Sequence, residues 1–228
     1  MPRTGTDTRL LIFTKAPRPG AVKTRLIPLL GEQGAAALHM QLVKRTLTTA
    51  RAADIGPIEL HCAPDCDDPF LRFCSRCYGA QLVPQSDGDL GMRMVHAFEL
   101  ALACARHAIL IGTDCPALAA RHLREADRLL AAGMDTVLAP AEDGGYALIG
   151  LTRCDRRLFA GVTWGENRVM NQTRDRLSAL GWRWQELETL WDVDRPEDYR
   201  RLHDSGLLQQ KGVRGTSGHP GGPSDLQQ

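Results

Sequence analysis

Ala108-Ile109-Leu110-Ile111-Gly112, followed at once by Thr113-Asp114-Cys115-Pro116, is the stretch on which the fold turns. A short, unbroken apolar run bounded by turn-forming residues describes a strand buried on both faces. An aspartate leaving such a strand is held by a rigid element yet faces a crevice. Outward from it the same pattern recurs. Apolar runs at Arg9–Thr14, Pro57–Cys62, Ala80–Pro84, Thr136–Ala139 and Tyr146–Gly150 alternate with helix-forming stretches at Glu32–Ala53, Gly88–Cys104, Leu118–Ala132 and Arg168–Gly181. An edge strand at Arg183–Leu187 and a helix at Pro196–His203, with proline in its first turn, close the series. Residues 151–165 carry no clear signal. Strands alternating with helices predict an α/β domain with a mostly parallel sheet and helices on both faces. Ligands of such sheets gather at the carboxyl ends of the strands.

The 228 residues suffice for one such domain, expected over 1–208, and are short for two. Residues 209–228 hold five glycines and two prolines with little that is apolar, and are expected to be a disordered tail. A formal net charge of +1 gives no global field for nucleic acid or an anionic membrane, so neither is expected as a partner. There is no apolar run of transmembrane length, no apolar segment near the N-terminus, and an odd number of cysteines, seven, at irregular spacing. A cytoplasmic protein with reduced thiols is the expectation. Cys62, Cys66, Cys74 and Cys77 form C-x3-C and C-x2-C pairs, but their close succession makes structural zinc the lesser reading.

Four constellations carry chemistry. Lys15, Gly20, Lys23, Thr24 and Arg25 follow the first strand: cations, a flexible glycine and backbone amides at a strand end suit a polyphosphate. The spacing is neither that of a Walker loop nor of a dinucleotide fingerprint. Asp114 suits a ligand to Mg2+ or Mn2+, since hard cations prefer carboxylate oxygens and also bind substrate phosphates. Glu142-Asp143-Gly144-Gly145-Tyr146 is either a hairpin turn or a place where backbone approaches a ligand closely. In Trp191-Asp192-Val193-Asp194-Arg195-Pro196, Asp194 either caps the helix that Pro196 begins or serves as a second metal ligand. The literal DxD at Asp87-Gly88-Asp89 is better explained as a turn and helix cap, and Cys115 as a buried filler.

Five segments in order, KAPRPGAVKTRL, GDLGMRM, IGTDCPAL, APAEDGGYALIGL and WDVDRPEDYRRL, resemble the bacterial DUF2064 family of GT-A-like transferases, some of them linked to arsenosugar biosynthesis. The resemblance spans roughly residues 9–204 and implies a single-domain GT-A, Rossmann-like fold. It implies a nucleotide-diphospho-sugar glycosyltransferase, with a nucleotide-sugar donor and a small-molecule acceptor. A nucleotidyltransferase using a nucleoside triphosphate, or a catalytically silent nucleotide-sugar-binding module, are the rival expectations. By resemblance, Lys15, Gly20, Lys23, Arg25, Gly88 and Arg93 fall on the nucleotide side. Asp114 and Asp194 fall where Mg2+ or Mn2+ would be held. Gly144, Gly145 and Tyr146 line the acceptor side, with Asp143 as the candidate general base.

Overall fold

The computed structural model describes residues 7–208, and the expected tail at 209–228 lies outside the described residues. Seven strands, β1 (Thr8–Lys15), β2 (Ile58–Ala63), β3 (Gln81–Pro84), β4 (His107–Ile111), β5 (Thr136–Pro140), β6 (Tyr146–Leu151) and β7 (Trp184–Glu186), form one sheet in the order β3-β2-β1-β4-β6-β5-β7. Every neighbouring pair is parallel except those of β6, which runs antiparallel to both β4 and β5. The sheet is therefore mostly parallel, with one reversal created by the Asp143 hairpin. Among the described residues five helices, α1 (Ile27–Ala53), α2 (Pro69–Tyr78), α3 (Leu90–Cys104), α4 (Ala120–Ala131) and α5 (Val169–Leu180), connect strands, and α6 (Pro196–Ser205) follows the last one.

Alternation along the central strands builds two cores. Leu10, Ile12, Ile109, Ile111, Val137 and Leu148 join α1, α2 and α4 on one face, while Leu11, Leu110, Leu138 and Ile149 join α3 and α5 on the other. All of these are nearly or fully excluded from water, each contributing roughly 1.5–3 kcal/mol through burial. A third, smaller cluster, Leu26, Leu38, Leu42, Val193 and Leu202, seats α6 against α1.

Two elements differ from the sequence expectation. Helix α1 starts at Ile27 and not Glu32; Pro28 opens a single turn that breaks at Gly31 (φ 68°) before the long helix runs on. Helix α2 fills a stretch for which the sequence pattern suggested no element. Its apolar stripe is narrow, with only Leu71 and Cys74 buried, but its ends are well marked. Asp68 accepts from the amides of Phe70 and Leu71, and Gly79 closes it in the left-handed region.

Chain order decides where a crevice opens. After β1 the chain builds β2 and β3 on one side, then α3 carries it back to β4 on the other. The gap between the carboxyl ends of β1 and β4 is thus the point where strand order reverses, the place where open α/β sheets bind ligands. Lys15 ends β1, and Asp114 stands three residues past the end of β4.

Candidate active site

Lys23 is turned inward. Its backbone is left-handed (φ 48°, ψ 40°), which swings the side chain beneath the loop that leads to a 3-10 turn at Thr24–Leu26. Its side chain is 4% exposed, and Nζ lies 2.7 Å from Asp114 Oδ1 and donates to the Val193 carbonyl at 2.5 Å. The Val193 amide in turn donates to the Asp114 carbonyl at 2.9 Å. One buried ammonium therefore ties together the first loop, the end of β4 and the segment before α6. The Asp114 side chain remains 53% exposed to the crevice. Burial pushes its carboxyl up, but Lys23, with His39 and Lys15 adding, holds it below the usual carboxylate value. His39 on α1 lies under the loop with Nε2 2.9 Å from the Lys15 carbonyl. Burial lowers its pKa, so a neutral ring donating from Nε2 fits the contact.

Above this tie lies a cleft of about 520 Å3 whose lining includes Lys15, Lys23, Arg25, Arg93, Asp114 and Asp194. Arg25 pairs with Asp194 across its mouth. Asp194 does not cap α6: Arg195 holds the N-cap position, and Asp198, in the first turn, accepts through Oδ2 from the Asp194 and Arg195 amides at 3.0 and 2.7 Å. That role leaves the Asp194 carboxylate to the cleft. Arg93 donates to the Gly88 carbonyl (3.1 Å) and to Gln85 Oε1 (3.3 Å), so the turn preceding α3 orients it. Gly88 (φ 105°) supplies the backbone that this turn needs. Asp89 caps α3 through the Met92 amide, 2.8 Å. Gly20 (φ 78°) bends the loop over Glu32 and stays off the cleft lining. Beside Lys15 the cleft continues into a lobe of about 470 Å3 bounded by Arg18, Gln85, Ser86 and Gly88.

On the other side of Asp114 lies a pocket of about 320 Å3 that brings in Asp143, Gly145, Tyr146, Trp164, Glu166 and Asp192. The hairpin turn positions Asp143, whose Oδ1 accepts from the Gly145 amide at 2.9 Å. Gly144 (φ 88°) is required there: any Cβ would collide with the Asn167 backbone, and its carbonyl takes the Met170 amide at 2.8 Å. Tyr146 directs its hydroxyl to Met94 Sδ, 3.8 Å, and burial raises its pKa well above the usual phenol value. Burial, then the Asp143 carboxylate, push Asp192 up to about 6. Cys115, its Sγ 3.2 Å from the Trp191 carbonyl, is pushed up to about 12 by burial and stays a thiol.

The structure thus brings Lys15, Lys23, Arg25, Arg93, Asp114 and Asp194 to one cleft, and Asp143, Gly145 and Tyr146 to the pocket beside it. Sequence reasoning missed Asp192 and Glu166. A signal for Asp192 existed: in an extended Asp192-Val193-Asp194 the two aspartates share a side and Val193 takes the other. Val193 is indeed fully buried while both carboxylates face the crevice. Among the described residues no group of three or more His, Cys, Asp or Glu side chains converges as a ready metal site. Cys62 and Cys74 are buried, Cys66 half-buried and Cys77 exposed.

The chain belongs to the family described as an uncharacterized protein conserved in bacteria, DUF2064, whose model matches residues 46–166. It is similar to a solved candidate nucleotide-diphospho-sugar transferase from Desulfovibrio desulfuricans G20, with 28% identity, 93% of this chain and 92% of that one covered, and a TM-score of 0.80. Two more distant structures share the fold. CMP:2-keto-3-deoxy-manno-octonic acid synthetase, complexed with CTP, is 11% identical at a TM-score of 0.56, covering 90% of this chain and 100% of that one. The 4-diphosphocytidyl-2C-methyl-D-erythritol synthase of Anaerococcus prevotii is 10% identical at 0.58, covering 91% and 98%. None of the curated proteins matches the chain in sequence. The fold is that of nucleotidyl and nucleotide-sugar transferases. No helix of the described residues is long and apolar enough to cross a membrane.

Proposed function

We propose that this protein is a glycosyltransferase, moving a sugar from a nucleotide-diphospho-sugar to the hydroxyl of a small acceptor. One observation carries the reading: at the strand-order switch point, Asp114 stands between a cationic cleft and a separate carboxylate-bearing pocket. A diphosphate and a neutral hydroxyl need opposite surroundings, and this crevice offers both within one side chain of each other. The likeness to the candidate sugar transferase supports the same class.

Lys15, Arg25 and Arg93 would hold the diphosphate and stabilise the charge that gathers on it as the sugar departs. Lys23 acts indirectly, holding Asp114 and the Val193 segment in place. Asp114 and Asp194 fit a divalent cation, Mg2+ or Mn2+. Both are carboxylates on the diphosphate cleft, and Mg2+ takes one or two carboxylates, completing its shell with phosphate oxygens and water. Such a cation, when bound, supplies Lewis-acid neutralisation of the leaving diphosphate. Asp194 becomes available as Arg25 turns from it to the phosphates. Asp143 would take the proton of the acceptor hydroxyl through the oxygen that the Gly145 amide leaves free.

The test is a panel of nucleotide-diphospho-sugars and nucleoside triphosphates with Mg2+ or Mn2+, read by thermal shift and by the product released. A nucleotide-sugar at a hundred times its Kd should stabilise the fold by about 2.7 kcal/mol and release nucleoside diphosphate. Pyrophosphate release from a triphosphate would convert the reading to nucleotidyl transfer. A shift with a nucleotide-sugar and no product from it would leave a silent binding module, and no shift with either class would overturn the reading.

A further inference from the structure

Positive charge stops at Asp114. The diphosphate cleft is lined by Lys15, Lys23, Arg25 and Arg93, whereas the residues lining the pocket beyond it include no lysine, arginine or histidine. The carboxylates there are Asp114, which Lys23 neutralises, and Asp143, Glu166 and Asp192. None of the last three forms an ion pair among the described residues, although Glu142, two positions from Asp192 across the Leu190 contact, is paired with Arg201. Asp143 and Glu166 are exposed and Asp192 is half-buried, so the recess presents negative charge to a ligand with no cation on its lining.

The walls add a second, independent feature. Phe13, Met94, Tyr146 and Trp164 face the pocket, giving aromatic and thioether surface around the acids. Aromatic faces with nearby carboxylates are the surroundings that alkylated ammonium groups select. At about 320 Å3 the space admits only a small molecule. Gly145, beside Asp143, leaves room for a hydroxyl to approach the candidate base. A phosphate or carboxylate in the same place would face three unpaired carboxylates and no cation.

We propose that this pocket binds a small organic cation bearing a hydroxyl group, so that the acceptor is an ammonium alcohol and not a phosphorylated or acidic compound. The word acceptor rests on the transferase reading; the cation pocket itself does not. Asp192 and Glu166 hold the cationic end among the aromatic walls, and the hydroxyl end lies toward Asp143.

Titration calorimetry on the full chain separates the two claims. The probes are choline, its neutral isostere 3,3-dimethylbutan-1-ol, and glycerol 3-phosphate, each with and without Mg2+, and UDP with Mg2+ as the test of the cationic cleft. Choline should bind roughly tenfold more tightly than the isostere, a difference within the range of a desolvated cation–π contact, and glycerol 3-phosphate should not bind. Glu166→Gln and Asp192→Asn should each weaken choline several-fold and leave UDP affinity unchanged. Equal binding of choline and isostere, preference for the anion, displacement of choline by Mg2+ alone, or no choline binding would each overturn the proposal. Choline bound as expected with no binding of UDP or of any nucleotide of the panel above would sink the transferase reading and leave the cation pocket standing.

Discussion

Lys23→Met tests whether the buried ammonium is a tie within the fold or a phosphate ligand waiting for substrate. Methionine keeps the stem's volume and its apolar packing, and it suffers the same left-handed backbone, so neither packing nor strain changes appreciably. What is lost is the contact of Nζ with Asp114 at 2.7 Å and with the Val193 carbonyl at 2.5 Å. Leaving that carbonyl without a partner costs about 1–3 kcal/mol. A carboxylate stranded in the interior would add several more, but Asp114 is 53% exposed and rehydrates, so its share falls to about 1 kcal/mol or less. A net loss of about 1–4 kcal/mol follows, equivalent to a fall in Tm of roughly 2–16 °C for a domain of this size. Calorimetric Tm without ligand is the assay, paired with UDP titration in Mg2+. Affinity should fall as well, because Asp114 and the Val193 segment lose their common anchor. An unchanged Tm with nucleotide binding abolished would refute the reasoning and make Lys23 a phosphate contact first.

Arg25→Ala should be the mirror image: its pair with Asp194 is exposed, so stability should move by under about 0.5 kcal/mol. Nucleotide affinity should drop by about 1–3 kcal/mol, as loss of a charge-assisted phosphate contact implies, and unchanged calorimetric binding would remove Arg25 from the site. Gly144→Ala should cost about 2–4 kcal/mol, combining a strained positive φ with overpacking against Asn167; a chemical-denaturation midpoint equal to wild type would show that the hairpin can move away. Glu59→Gln should lower Tm near neutrality, because His61 first, and Arg9, hold the Glu59 carboxyl below its usual value against the opposing effect of burial. A depressed carboxyl contributes stability that is complete above its unfolded pKa and lost as pH falls through its folded one. The gap between the two proteins should therefore close on acidification below about pH 4, and a gap that widened there would reverse the assignment.

The alternation of apolar runs with helix-forming stretches sufficed for the sheet, its helices and the position of Asp114, because burial on two faces dictates composition residue by residue. The loop cations and Asp143 were legible for a similar reason: their strand-end position is a local property. Element α2 escaped because it is short, ten residues with only Leu71 and Cys74 buried, although its Asp68 cap and Gly79 stop were written plainly. Reading Asp194 as a cap failed by one residue: Arg195 holds the N-cap position, and Asp198 in the first turn reaches back to the Asp194 and Arg195 amides.

Charge type and approximate place along the chain were therefore in the sequence; which charges meet was not. Lys23 and Asp114 are far apart in the chain, and nothing local says that a lysine in a basic loop will turn inward to neutralise an aspartate past β4. Nor does it say that Arg25 will take Asp194 while Asp143, Glu166 and Asp192 are left unpaired around an aromatic recess. Those pairings depend on the crossover from β3 to β4 that opens the crevice and on the packing of Val193 beneath α6. Coulomb energies vary with separation and local dielectric, and only the tertiary structure sets both.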